Sequence, residues 1–186
     1  MTENESLLAA INEDVALHPY DGDWPVIFGA ERDRLTVLFP HRFLGIEHIG
    51  STAIPGLLAK PIIDILAGVE SMIIAKSLAE HLCRSSYTTS DEFNQSLSDR
   101  QWFMRWANGH RTHHLHLVVY NSATWNEHVV FRDALCANAG LAAKYAALKL
   151  RLAAAHSTDR EAYSEAKQDF VRAVIEGIKP VTQSFL

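Results

Sequence analysis

Residues 61–69, PIIDILAGV, constrain this chain more than any other stretch. The run is apolar nearly throughout, without the alternation of a half-exposed strand. A strand built from it needs cover on both faces and belongs in the middle of a sheet. Only one residue in it is charged, Asp64. A carboxylate there is costly to bury unless something pairs with it. Asp64 therefore either caps a buried backbone N–H or belongs to a site.

The neighbouring sequence supplies the rest of such a sheet. Residues 43–49 read as a strand, and GSTAIPG (50–56) as a loop. QWFMRWA (101–107) and THHLHLVVY (112–120) read as two strands joined through the Asn108-Gly109 turn signal. The polar residues 85–99 supply at most part of an edge strand. A helix is expected over roughly residues 24–38, with Asp23 as its cap, Pro25 in its first turn, and Phe28, Leu35 and Leu38 facing inward. Ser71 is expected to cap a helix carrying Ile74, Leu78 and Leu82.

The last third reads as helical. Ser122 starts a helix with Trp125, Val129 and Arg132 on one stripe. A second carries Leu141, Tyr145, Leu148 and Leu152. A third opens on a capping box at residues 158–161, shows Tyr163, Phe170 and Val174 on one face, and is expected to stop at Gly177. The pattern predicts an α+β fold: a mixed β-sheet with flanking helices and a helical C-terminal third. One domain over residues 1–186 is expected, with residues 1–15 as a loosely held helical arm.

Composition narrows the function classes. The 186 residues carry a formal net charge of −5, which argues against a broad electrostatic grip on nucleic acid. Cys83 and Cys136 have no metal-type spacing and read as reduced thiols of a cytoplasmic protein. The acidic N-terminus lacks a signal-peptide pattern, and no apolar run approaches membrane-spanning length. Histidine is the unusual count, at 10, with four in GHRTHHLH.

A Gly-Ser pair after a strand can offer backbone N–H groups and a hydroxyl to an anion, which makes Gly50, Ser51 and Thr52 candidates for phosphate contact. An aspartate on the next strand could hold a divalent cation against the same phosphates. The competing reading is a plain turn beside an N–H-capping Asp64. In the 112–120 strand His114 and His116 share one face, about 7 Å apart. They are candidate metal ligands or acid/base groups, whereas His110 and His113 read as structural or exposed. Glu47 and His48 point to opposite faces, so at most one joins Asp64. Lys60, Arg111 and Arg105 are candidate phosphate contacts. Trp102 and Trp106 read as core packing rather than a base-stacking platform.

IEHIGSTAIPGLLAKPIIDI resembles the signature of the GrpB (UPF0157-type) family. PYDGDWP, RTHHLHLV and WNEHVVFRDAL look like further landmarks, as does the pattern of Tyr145, Lys149, Arg160, Tyr163 and Lys167. The resemblance covers roughly residues 15–175. It implies a fold similar to the nucleotidyltransferase superfamily, and a related domain is fused to dephospho-CoA kinase in some bacteria. In that superfamily a strand, Gly-Ser and a short helix lead to Asp-x-Asp/Glu, and a later strand brings a third carboxylate; together these hold two metal ions. Gly50-Ser51 and Asp64 match in order and spacing. The second carboxylate position is Leu66, and the later strand offers His114 or His116.

One Asp with imidazoles would suit Mn²⁺ or Zn²⁺ better than Mg²⁺. Three expectations result. One is a divergent nucleotidyltransferase using Asp64 and His116 around a divalent metal held by Asp64, His114 and His116. Another is a non-catalytic module for a nucleotide or phosphorylated metabolite, linked by family analogy to the CoA pathway. The third is an interaction domain with a vestigial cleft.

Overall fold

The computed structural model describes residues 2–156 and 158–178; the side chains of Arg160 and Glu161 lie outside the described residues. Helices α1 (Glu3–Ile11) and α2 (Trp24–Leu38) precede strand β1 (Gly45–Ile49). A 3-10 turn at Ser51–Ala53 leads to β2 (Ile63–Val69). Short helices α3 (Met72–Ser77), α4 (Ala79–Arg84) and α5 (Asp91–Ser96) cross to the hairpin β3 (Arg100–Ala107) and β4 (His110–Val119). Helices α6 (Ala123–Ala137), α7 (Ala139–Ala155), α8 (Arg160–Glu165) and α9 (Gln168–Ile178) follow.

The sheet order is β1-β2-β4-β3, with β2 antiparallel to β1 and parallel to β4. The apolar run is therefore central, as its lack of alternation predicts. Its odd-numbered residues Ile63, Ile65, Ala67 and Val69 face α2, α3 and α4 in the main core, with Leu115, Leu117 and Phe103. Full burial of each such leucine or isoleucine contributes about 1.5–3 kcal/mol. On the opposite face Leu66, Ile49 and Val118 meet Trp125 of α6. Gly68 makes room there: a Cβ on it would lie 2.7 Å from the Tyr120 ring. A third cluster ties Ile54 and Leu57, after the Gly-Ser pair, to Leu135, Tyr145 and Val174 of the C-terminal helices.

The Asn108-Gly109 turn forms as predicted, both residues at positive φ (52° and 81°). Other expectations are corrected. Asp23 precedes α2 in αR geometry and makes no side-chain cap. Leu38 is exposed and Phe39 turns inward in its place. The helix after Ser71 is interrupted at Leu78, giving α3 and α4.

Residues 85–99 contribute one bridge, Thr88 to Met104, and otherwise form α5. The reason is Asn94. Its amide accepts from Trp102 N–H (2.7 Å) and donates to Trp102 C=O (3.1 Å), so a side chain does what an edge strand would do. Asp159, not Thr158, caps α8; the Glu161 side chain of the expected capping box lies outside the described residues. The third C-terminal helix divides into α8 and α9, and α9 runs through Gly177 to Ile178.

The N-terminal arm packs against the β3–β4 hairpin. Ala10 is fully buried. Arg111 donates to the carbonyls of Ala10 (2.9 Å) and Ile11 (3.1 Å), Gly109 N–H donates to Ser6 Oγ (2.8 Å), and His110 meets Glu13 (3.0 Å). Among the described residues no helix is long and apolar enough to cross a membrane.

Candidate functional site

The site begins where β1 ends. Gly50 has φ +70°, and a Cβ there would come within 2.3 Å of Asp64 Oδ2. Only glycine permits this approach of the loop to the carboxylate. Ser51, next in the chain, lines the cavities on both sides of the turn, one of them together with Tyr145. Thr52 is fully committed to the scaffold: its hydroxyl donates to Ile62 C=O (3.1 Å) and accepts from His48 Nε2 (3.0 Å). His48 stacks on Phe28 with ring centroids 4.7 Å apart, and burial pushes its pKa down to about 4. Thr52 and His48 therefore brace the loop, and the Thr52 hydroxyl has no role left for a phosphate.

Parallel register sets Asp64 beside His114 and Leu66 beside His116. His114 Nδ1 donates to Asp64 Oδ1 at 2.9 Å. Burial raises the Asp64 pKa, but the His114 hydrogen bond, the charges that His114 and His116 carry once protonated in acid, and Lys60 outweigh it and bring it to about 2. Burial holds His114 below its usual range. The pair is thus a carboxylate accepting from a neutral imidazole. Burial, then the neighbouring His128 with its ring centroid 6.0 Å away, lowers His116 to about 3. His114 Nε2 and His116 Nδ1 are buried without a hydrogen-bond partner.

These residues do not fit a two-metal carboxylate centre. Leu66 is fully buried in an apolar cluster. Asp64 has an oxygen committed to His114, and His116 sits a register step away beside Leu66. Among the described residues no three His, Cys, Asp or Glu side chains converge as metal ligands.

Above the Gly-Ser turn lies a cavity of about 160 Å³ whose lining includes Ser51, Lys60, Asp64, Lys149, Tyr163 and Lys167. Lys149 is 2% exposed, donates its ammonium to Leu58 C=O, and lies 5.5 Å from the Tyr145 ring centre. Burial, then the Lys167 charge, lowers its pKa to about 7. Burial lowers Lys167 to about 8. Lys60 and Lys167 approach the Tyr163 ring at 5.2 and 4.0 Å. Three amines around one small cavity repel when charged, and a bound anion relieves that repulsion. Asp64 favours the cationic forms of Lys149 and Lys167.

The structure distributes the remaining candidates differently. Gly50, Ser51, Asp64, Lys60, His114 and His116 meet at one cleft. Arg111 lines its widest lobe while closing the end of α1. Arg105 lies on the other sheet face, paired with the buried Glu31, which Arg34 and Tyr87 also hold. Glu47 shares the Asp64 face but is held by Arg132 at 2.7 Å, and His48 is on the opposite face. His113 is buried and His110 exposed. Trp102 lines the cleft instead of the core, against Phe93 and His114.

Lys149 and Lys167 line the cavity above the Gly-Ser turn; the resemblance marks both as landmarks but gives neither a role. A repeated signal is present: Tyr145/Lys149 and Tyr163/Lys167 are both Tyr-Lys pairs four residues apart, and each brings an amine to its own tyrosine ring.

Residues 14–177 match the family described as GrpB protein. The chain belongs to the GrpB family. It is 34% identical over 160 residues to the UPF0157 protein YqkA of Bacillus subtilis, covering 86% of this chain but 46% of that protein. The chain thus spans less than half the length of that relative. The Glutamate-rich protein GrpB of Alkalihalophilus pseudofirmus is 34% identical over 173 residues, covering 91% of this chain and 98% of that one. The crystal structure of the conserved protein GrpB from Enterococcus faecalis superposes with a TM-score of 0.77 at 32% identity, over 87% of this chain and 96% of that one. A Dephospho-CoA kinase of Mycobacterium tuberculosis is 31% identical over 155 residues, covering 72% of this chain and 38% of that enzyme.

Proposed function

We propose that the cleft binds a phosphorylated small molecule, nucleotides included, with a phosphate seated among Ser51, Lys60, Lys149 and Lys167. The observation that carries this reading is the convergence of three lysines and a serine on one cavity beside Asp64. Gly50 lets the backbone close in. Asp64, a carboxylate that accepts from His114, favours the charged forms of Lys149 and Lys167. The protein acts as a binding or accessory module. The stretch of a Dephospho-CoA kinase that resembles this chain suits such a role and puts CoA precursors among the ligands to try.

A second reading is nucleotidyl transfer from an NTP, with Asp64 and His116 as its catalytic residues. The Gly50–Asp64 approach favours it, since it places a Gly-Ser turn directly on a strand aspartate. It requires Mg²⁺, Mn²⁺ or Zn²⁺, and Leu66 together with the Asp64–His114 bond argues against a preformed site for one.

A thermal-shift panel separates the two. ATP, other nucleotides and CoA precursors are tested in EDTA and with each metal. The proposed function predicts stabilisation in EDTA, of order ~2.7 kcal/mol at a hundredfold excess over Kd, which disappears in the Lys149→Met/Lys167→Met variant. No shift with any ligand would overturn it. A shift and product formation that both require metal and vanish in Asp64→Ala would establish the second reading instead.

A further inference from the structure

The lysine cavity continues into a lobe of about 780 Å³, and the two share Lys60, Asp64, His114 and Ser164. Its wall includes Trp102 and Phe93. Phe93 is 44% exposed, an unusual position for a ring that has a core beside it. It meets Trp102 edge-on, at 5.5 Å between centroids and 86° between planes. Trp102 in turn rests on His114, with centroids 5.3 Å apart. The backbone of Trp102 is gripped by Asn94, which fixes where the indole stands. Arg111 and Glu13 stand at the same lobe and are themselves tied to the N-terminal arm.

We propose that the Trp102–Phe93 wall is a stacking subsite for a nucleobase, so that the ligand of this cleft is a nucleotide rather than a sugar phosphate or inorganic phosphate. The proposal rests on the phosphate-binding reading above and extends it. A purely apolar ligand would bring no negative charge to the lysines of the adjoining cavity. A bare phosphate would leave an aromatic wall open to water. A nucleotide satisfies both, because it joins a flat ring to phosphates and the two lobes meet at Lys60, Asp64, His114 and Ser164. Aromatic stacking tolerates any base, since each has a π face. The subsite therefore sets the class of ligand and discriminates weakly among bases.

The test compares ATP with tripolyphosphate, which carries the phosphates without base or ribose. Affinities are measured in EDTA by calorimetry for the wild type, Trp102→Leu and Phe93→Ala. The wild type is expected to bind ATP ~10-fold or more tightly than tripolyphosphate, an advantage that both variants reduce while tripolyphosphate affinity stays within ~2-fold. Phe93 is exposed enough that its truncation leaves the fold intact. Equal wild-type affinities would overturn the stacking subsite and leave the phosphate reading standing, as would an ATP advantage unchanged in both variants. If tripolyphosphate does not bind the wild type, the phosphate reading fails and the subsite with it.

Discussion

Asp64 owes its place to two neighbours. Gly50 leaves space for its carboxylate, and His114 supplies a hydrogen bond from the adjacent parallel strand. A half-buried carboxylate so paired is a stable feature rather than a defect. Leu66, two residues on, shows the contrast. It faces the same side of the sheet but lies in apolar contact with Ile49, Val118 and Trp125. Leu66→Asp restores the nucleotidyltransferase-type carboxylate pair in sequence only. It is expected to cost at least ~3 kcal/mol in a urea melt, because the new charge has no partner in that cluster. Retained stability together with new Mn²⁺ binding would show instead that a metal site lies latent there.

At the scale of elements, the strands were the most legible part of the sequence. The unbroken apolar run could only be a central strand, and the positive-φ turn at Asn108-Gly109 fixed the hairpin. Alternation along β4 correctly separated Leu115 and Leu117 from His114 and His116. What stayed hidden depended on tertiary partners. Nothing local says that Asn94 replaces an edge strand, or that Trp102 faces a cleft because that side of β3 is left open near His114. The lysine pocket was hidden for the same reason. Its Gly-Ser turn and Lys60 lie close together in the chain, whereas Lys149 and Lys167 arrive about a hundred residues later on α7 and just past α8, marked by the resemblance but without a role.

The molecule as a whole carries several buried or half-buried imidazoles, with a consequence for acid stability. Burial lowers His48 and His113 to about 4 and His116 to about 3. The unfolded chain takes up protons near pH 6.5 while the folded chain does not, so stability is present above that pH and is lost as pH falls toward 4. Asp64, lowered to about 2, adds a further loss below its ordinary pKa. A melting temperature that falls steadily between pH 6.5 and 4 is the expected result. A flat profile across that window would mean that these rings are protonated in the fold.

The central claim is that Lys149 and Lys167 grip a phosphate. Both are lowered by burial, to about 7 and about 8. An anion beside them raises both, so binding at pH 8 must draw protons from solution, whereas a nucleotide's terminal phosphate, with its last pKa near ~6, is already ionised and takes up none. The most direct measurement is calorimetric titration of ATP at pH 8 in EDTA, in two buffers of different ionisation enthalpy. The expected result is binding with net proton uptake, with both affinity and uptake lost in Lys149→Met/Lys167→Met. Binding without proton uptake, or unchanged by those substitutions, would contradict the claim.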